Sequence, residues 1–259
     1  MKPVAVTRWL IAGCVLVLGA CGGDASHSSI TSTTTALTTS TTTSTTGSPT
    51  TTSPPVTVTT QPAVTVSVVG DSIAMLSHDE LIAAFAEHGW IASVVANSST
   101  TVESNRAQIR AAVADHPRVV VIELGTNDAG QIGNAFAHPT AADRRAALAR
   151  TVANIDGALD DLAAVACLVW VDINDWTLAP FYDVRGTAPT INAALRAEAA
   201  RRPLLHLAPY RQTFAPADPT AAAWLRANYD EHLLHPATAE ARTRIVALIA
   251  ATVHQSCGV

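Results

Sequence analysis

The sequence lacks several features that mark particular classes of protein. It has no excess of basic residues, with 16 Lys and Arg against 21 Asp and Glu, so nucleic acid is not an expected partner. Cysteines number only four. No pair of Cys or His has the spacing of metal ligands except His232 and His235, which lack obvious further ligands. No metal site is therefore expected.

Apolar runs long enough to cross a membrane are also missing. Lys2 and Arg8 lead into the run Trp9–Leu18, which is too short to span a bilayer and is typical of a signal peptide over residues 1–20. The run ends in Leu18-Gly19-Ala20-Cys21, which resembles the lipobox of bacterial lipoproteins. The resemblance implies cleavage before Cys21 and lipidation there. We therefore expect an extracytoplasmic protein that is lipid-anchored to the cell membrane.

Residues 21–62 have the composition of a disordered stalk. From Ala25 to Pro62 they are almost wholly Thr and Ser with scattered Pro, which leaves too little apolar surface to offset chain entropy. A flexible segment of about forty residues would hold the next domain about 35 Å from the lipid on average. Residues 63–259 are rich in Ala, Val and Leu and long enough to bury one core, so a single domain is expected there.

The four cysteines divide between these regions. Cys14 leaves with the signal peptide and Cys21 carries the lipid, which leaves Cys167 in an apolar run and Cys257 near the end. In an oxidising exterior the last two could form a disulfide, and a buried free thiol at Cys167 is the alternative. The sequence leaves both possibilities open.

Apolar runs alternate with helical patterns through residues 63–259. Residues 64–69 are mostly β-branched and indicate a strand, after which Leu76, Leu81 and Phe85 recur at helical spacing. This alternation predicts an α/β fold with a five-stranded parallel sheet covered on both faces, and a site at the carboxyl ends of the strands. Further strands are predicted at 90–95, 118–124, 167–173 and 204–207, and further helices at 102–115, 141–164, 188–201 and 237–253.

A candidate nucleophile lies where the first predicted strand ends. In Gly70-Asp71-Ser72, the glycine permits a tight turn, the aspartate suits a helix cap, and the serine lies at the junction of strand and helix. Backbone N–H groups at a helix amino terminus can stabilise a developing oxyanion. The placement of Ser72 therefore suits acyl transfer.

Two more motifs fall at comparable boundaries. Gly125-Thr126-Asn127-Asp128 follows the apolar run 118–124, and His235-Pro236 precedes the last predicted helix. Together with Gly70-Asp71-Ser72, they resemble the SGNH, or GDSL, hydrolases in order and placement over residues 63–255. The resemblance implies a flavodoxin-like, three-layer α/β/α sandwich and a serine esterase activity.

The resemblance also implies roles for individual residues. Ser72 would be the nucleophile, His235 the base that takes its proton, and the Ser72 N–H and Asn127 side chain would line the oxyanion hole. A serine hydroxyl is a poor nucleophile until an imidazole accepts its proton, and fixed donors must meet the oxyanion. This chemistry requires no metal or organic cofactor.

Two departures from the family pattern leave positions open. The family usually has a glycine after the second strand as a third oxyanion donor, but residues 96–101 contain none, so Ser98 is our candidate, with Asn97 and Ser99 next to it. A residue other than glycine can still donate its N–H at that position.

The second departure concerns the acid that orients the base. The family has Asp three residues before its catalytic His, where this chain has His232. Asp230, five residues before His235, is our candidate for this role. His232, Asp175 after the fourth predicted strand, and a backbone carbonyl are the alternatives.

The expected function is hydrolysis of a carboxylic ester on a small molecule, a lipid or a cell-envelope glycan. One alternative is transfer of an acyl group to an envelope glycan. A catalytically impaired domain that only binds a wall component is another, and the missing glycine and shifted aspartate favour it. Acyl and alcohol preferences depend on loop shapes that composition does not fix, and oligomeric state is equally open.

Replacement of the predicted lipidation site tests the anchor. We expect Cys21→Ser to move the protein from the membrane fraction to the soluble fraction, because each buried methylene of a lipid chain contributes about 0.8 kcal/mol to membrane binding. Cys14→Ser, in the predicted signal peptide, is the matched control and should stay membrane-bound. A Cys21→Ser protein that remains in the membrane fraction would contradict the lipobox assignment.

Overall fold

The computed structural model describes residues 63–178 and 183–259. The predicted signal peptide (1–20) and stalk (21–62) lie outside these residues. Within the described ranges, the strands form one sheet. They are β1 Thr65–Gly70, β2 Ile91–Ala96, β3 Val119–Glu123, β4 Cys167–Val171 and β5 Leu205–Ala208.

The sheet has the order β2-β1-β3-β4-β5, and every neighbouring pair is parallel. In its register, Val68 of β1 lies between Val94 of β2 and Val121 of β3. This is the flavodoxin-like order of a doubly wound fold. The predicted α/β fold with a five-stranded parallel sheet is thus confirmed, and all the strands end at one edge.

Helices connect successive strands and cover both faces of the sheet. None of them, among the described residues, is long and apolar enough to cross a membrane. They are α1 Ser72–Leu76, α2 His78–Glu87, α3 Arg106–Ala114, α4 Thr126–Gly133, α5 Ala141–Asp161, α6 Val184–Arg201, α7 Tyr210–Thr213, α8 Pro219–Asn228 and α9 Ala239–Cys257.

The sheet separates two apolar cores. Side chains alternate along a strand, so Val119 and Val121 of β3 face one core while Val120 and Ile122 face the other. Helices α2 and α9 pack on the first face, and α3 to α6 contribute to the core on the second. Strands β3 and β4 are buried along their whole length, as expected for central strands of a parallel sheet.

Local side-chain hydrogen bonds place the start of α3 later in the chain than the sequence predicted. The sequence predicted a helix from residue 102, but α3 begins at Arg106. The Ser104 Oγ donates to the carbonyl of Thr101 at 3.1 Å and accepts the N–H of the same residue at 2.8 Å. Such bonds satisfy the backbone in a turn and compete with the first turn of a helix.

Aspartate caps explain two further differences. Helix α6 begins at Val184 rather than 188, because Asp183 accepts the N–H of Gly186. Helix α8, which the apolar pattern did not predict, begins after Asp218, whose side chain accepts the N–H of Ala221. An Asp before a helix satisfies an N–H that has no helical acceptor. Such a cap can therefore determine where a helix begins even when the apolar periodicity of its sequence is weak.

A disulfide joins Cys167, the first residue of β4, to Cys257, the last residue of α9. The structure therefore adopts the paired alternative of the two that the sequence left open. The bond spans 90 residues of sequence and ties the last helix to the start of β4 at the amino edge of the sheet. It lies at the opposite end of the strands from Ser72.

Removal of this disulfide should lower the free energy of unfolding by about 2–4 kcal/mol, since a cross-link of this span constrains the unfolded chain. Urea unfolding of Cys257→Ser against the wild type measures the difference. With dithiothreitol added, the two proteins should unfold at the same urea concentration. Equal midpoints without reductant would show that the disulfide does not stabilise the fold.

Candidate active site

Ser72 begins α1 immediately after β1 ends. The preceding Asp71 caps the helix, and its Oδ1 accepts the N–H of Ile73 at 3.0 Å. Ser72 is only 8% exposed. Its own N–H lies in the first turn of the helix, where backbone N–H groups have no helical acceptor, which is the position expected of an oxyanion donor.

His235 meets Ser72 although 163 residues separate them. The Ser72 Oγ is 2.9 Å from His235 Nε2, and His235 Nδ1 is 2.8 Å from Asp230 Oδ2. Because a carboxylate only accepts hydrogen bonds, this arrangement assigns the ring proton to Nδ1. Nε2 is then free to accept the hydroxyl proton of Ser72. The three side chains form a continuous line from hydroxyl to imidazole to carboxylate.

A closed turn brings Asp230 behind His235 in spite of their five-residue spacing. Tyr229 and Pro236 form an isolated antiparallel bridge, and the Asp230 N–H donates to the His235 carbonyl at 2.9 Å. Leu233 takes a left-handed conformation with φ 52°, and its N–H donates to the Asp230 carbonyl. The chain therefore doubles back between residues 229 and 236. The acid and base lie opposite each other across the turn.

The carboxylate of Asp230 also holds this turn together. Its Oδ1 accepts the N–H groups of His232 at 3.1 Å and Leu234 at 2.8 Å. Burial opposes ionisation of Asp230, but the Leu234 N–H and His235 outweigh it and lower the pKa of the carboxyl. Asp230 is thus held as a carboxylate that faces the imidazole.

Neighbouring elements anchor the turn from both sides. The carbonyl of His232 accepts the Thr177 hydroxyl at 2.8 Å and the Leu178 N–H at 2.7 Å. On the other side, the Tyr229 hydroxyl lies 3.0 Å from that of Tyr210, and the ring of Trp176 packs edge-on against both tyrosines. Trp176 is 6% exposed and belongs to the apolar core on this face of the sheet.

The other residues considered for orienting His235 lie elsewhere. Asp175 forms an ion pair with Arg211 at 2.8 Å. The His232 side chain is 43% exposed and lies 3.5 Å from Glu231. The structure therefore brings Asp230, and neither of these two side chains, to Nδ1 of His235.

Asn127, a predicted oxyanion donor, lies beside the nucleophile in the first turn of α4. Its Nδ2 donates to Asp71 Oδ2 at 3.0 Å, and Asp71 is the residue directly before Ser72. Since a carboxamide nitrogen carries two N–H groups, this bond leaves one for a ligand.

Ser98, the third predicted donor, lies in the turn after β2 and is exposed. The N–H of the adjacent Asn97 donates to the Gly70 carbonyl at 3.2 Å, so the turn is tied to the end of β1. Ser99 takes a left-handed conformation with φ 61°. The Ser98 backbone is thereby held in a turn at the same edge of the sheet as Ser72.

Two buried acids beside the site were not singled out from the sequence. Glu123 accepts the N–H groups of Asp71 and Ala74 on either side of Ser72. Asp128 accepts the Val102 N–H at 3.0 Å, and burial raises its pKa to about 6. The sequence feature that could have identified Glu123 is an acidic residue near the end of an otherwise hydrophobic run.

Comparison with known proteins identifies the family. A sequence model of the GDSL-like Lipase/Acylhydrolase family matches residues 68–241, which include the nucleophile candidate, Asn127 and the His235 turn. The chain belongs to this family. It is therefore an acyl hydrolase of the SGNH/GDSL esterase type, which confirms that part of the resemblance drawn from the three motifs. No curated protein matches the chain in sequence.

Solved structures share the fold at low sequence identity. The C-terminal catalytic domain of Streptococcus pneumoniae peptidoglycan O-acetyltransferase A aligns with a TM-score of 0.54 at 15% identity, covering 75% of this chain and 94% of that one. A catalytic mutant of the Geobacillus stearothermophilus acetylxylan esterase Axe2 gives 0.52 at 15% identity, with coverages of 75% and 94%. The acetyl xylan esterase AlAXEase gives 0.55 at 14% identity, with coverages of 73% and 100%.

Substitution of Asp230 and of Asp175 should show which of the two acids orients His235. We expect Asp230→Asn to lower kcat on the order of 10⁴-fold, because an amide in place of the carboxylate favours the wrong imidazole tautomer. The amide oxygen can still accept the N–H groups that close the turn. Asp175→Asn, the matched control, should leave kcat close to the wild-type value. Steady-state ester hydrolysis measures both, and an equal loss in the two variants would argue against a special role for Asp230.

Proposed function

We propose that the protein is a serine-dependent hydrolase of a carboxylic ester carried by a small molecule, a lipid or a cell-envelope glycan. The observation that carries the proposal is the line of Ser72 Oγ, His235 Nε2 and Asp230 Oδ2, joined at 2.9 and 2.8 Å. In this proposal Ser72 is the nucleophile, His235 the general base and Asp230 the group that orients the imidazole.

The first half of the reaction forms an acyl-enzyme. As the Ser72 Oγ bonds to the ester carbon, His235 Nε2 takes the hydroxyl proton, and the carbonyl oxygen becomes an oxyanion. The Ser72 N–H, the free N–H of Asn127 Nδ2 and the Ser98 N–H are the proposed donors to that oxygen. When the carbon–oxygen bond to the alcohol breaks, the imidazolium returns the proton to the leaving oxygen.

The second half restores the enzyme. A water molecule gives its proton to His235 Nε2 as its oxygen bonds to the acyl carbon, and the Ser72 Oγ then leaves with that proton while the acid departs. The Asp230 carboxylate stabilises the imidazolium that forms in each half. A sugar hydroxyl in the place of water would make the same acyl-serine a donor for O-acyl transfer.

We also propose that the domain acts outside the cytoplasm at the membrane surface. The support is the sequence resemblance of Leu18-Gly19-Ala20-Cys21 to a lipobox and the Thr- and Ser-rich segment that follows it. Cys21 would carry the lipid anchor, and residues 21–62 would provide the reach to an ester in the envelope.

A fluorophosphonate probe tests the nucleophile and the base. The probe should label the purified wild type at Ser72, located by mass spectrometry, and should label neither Ser72→Ala nor His235→Ala. Each substitution should lower kcat for a chromogenic acetate on the order of 10⁶-fold. His232→Ala is the matched control and should keep both labelling and hydrolysis.

Two outcomes would change the proposal. A folded wild type that does not react with the probe would indicate a domain that only binds its ligand. Probe labelling with slow hydrolysis, and rapid acyl loss only when a glycan acceptor is added, would indicate a transferase instead.

A further inference from the structure

A pair of buried carboxyl groups lies directly beside the nucleophile. Glu123 ends β3 and is 4% exposed, and Asp71 ends the turn after β1 and is fully buried. In the described part of the chain, the Arg side chains form their ion pairs with other acids. The two carboxyl groups therefore rely on each other and on N–H donors, because buried charges without partners are costly.

Glu123 holds the backbone on both sides of Ser72. Its Oε2 accepts the N–H of Ala74 at 3.1 Å. The Asp71 N–H donates to the main-chain carbonyl of Glu123 at 3.1 Å and also lies 3.4 Å from Oε2. The Glu123 carboxyl group lies next to that of Asp71, so that a protonated Glu123 can donate a hydrogen bond to Asp71. The packing is tight here, since a Cβ added at Gly70 would lie 3.4 Å from that of Glu123 and 2.3 Å from that of Ala74.

Contact between the two buried acids favours a state with one proton between them. Two carboxyl groups in contact inside a protein do not both ionise, and the proton stays on the group whose charged form is stabilised less by its surroundings. Burial and the neighbouring charge of Asp71 raise the pKa of Glu123 well above its usual value. Burial raises the pKa of Asp71 as well, but the Ile73 N–H, Glu123 and Asn127 favour its carboxylate.

Asp71 links Glu123 to Asn127, the predicted oxyanion donor. Its Oδ2 accepts Asn127 Nδ2 at 3.0 Å while its Oδ1 accepts the Ile73 N–H at 3.0 Å. The bond to Asp71 fixes the rotation of the Asn127 carboxamide. Because the two N–H groups of Nδ2 are rigidly related, the same bond sets the direction of the second one.

We propose that Glu123 is a positioning residue: as a neutral acid it donates to Asp71, and through Asp71 it holds the Asn127 carboxamide as an oxyanion donor. The inference rests on the proposed function, in which Asn127 meets the oxyanion. Glu123 itself touches neither the substrate nor the reacting atoms in this scheme.

The key comparison uses two variants of similar volume. Glu123→Gln keeps a neutral group with an oxygen for the two N–H donors and an NH₂ for Asp71, so kcat should stay close to wild type. Glu123→Leu removes these bonds and should lower kcat by about 10–100-fold, less than the 10²–10³-fold loss of a whole oxyanion donor. KM should change little in either variant, because the affected bond acts in the transition state.

A double-mutant cycle tests the route through Asn127. In an Asn127→Ala background, Glu123→Leu should lower kcat much less than it does in the wild type, because the carboxamide through which Glu123 is proposed to act is already absent. A loss of equal size in both backgrounds, or an unchanged kcat in Glu123→Leu alone, overturns the proposal. So does a Glu123→Gln variant as impaired as Glu123→Leu. Should Glu123→Leu not fold, Glu123→Asp replaces it, since its acid is one methylene too short to reach Asp71.

Two measurements need no turnover and separate this inference from the proposed function. At pH 8 the wild type should show an infrared band of a protonated carboxylic acid that Glu123→Gln lacks. The side-chain amide resonance of Asn127 should be unchanged in Glu123→Gln and shifted in Glu123→Asp. Absence of the band, or an unshifted resonance, overturns the role of Glu123, whereas a wild type without serine-dependent hydrolysis rejects the proposed function alone.

Discussion

The candidate site depends on the hydrogen-bonded turn between Tyr229 and Pro236. The bridge between these residues and the left-handed Leu233 reverse the chain within a few residues, and Asp230 accepts three hydrogen bonds inside the reversal. In the family pattern a shorter spacing places the acid beside the base, and in this chain the turn has the same effect. It also rests on the core, because the Tyr229 hydroxyl bonds Tyr210 beneath it. An apparent departure from the motif is thus compensated by backbone geometry.

Charge is distributed around Ser72 in a way that suits an anionic intermediate. In the proposed reaction a positive charge develops on His235, with Asp230 against its Nδ1 and Asp71 near enough to interact with it. A second negative charge at Glu123 would repel the oxyanion that forms above Ser72. A neutral Glu123 removes that repulsion while it still satisfies the N–H groups of Asp71 and Ala74.

Short-range patterns predicted the fold and the residues that end its strands. The β-branched run before Gly70 and the hydrophobic run before Gly125 placed Ser72 and Asn127 at strand ends, and the parallel sheet then brought those ends to one edge. Spacing favoured Asp230 but left Asp175 open as the acid that orients His235, because the outcome depends on how residues 229–236 turn. The raised pKa of Glu123 was equally out of reach, since it arises from burial and from the neighbouring charge of Asp71, which folding brings beside it.

The bond between Cys167 and Cys257 has a consequence for how the domain withstands proteolysis. A cut anywhere between these two residues would divide the chain into a piece with Ser72 and a piece that ends the domain. The sulfur link would still hold both pieces together. A cut before Tyr229 would place Ser72 and His235 on different pieces that remain covalently joined, so a nicked enzyme would keep both halves of its machinery in one molecule.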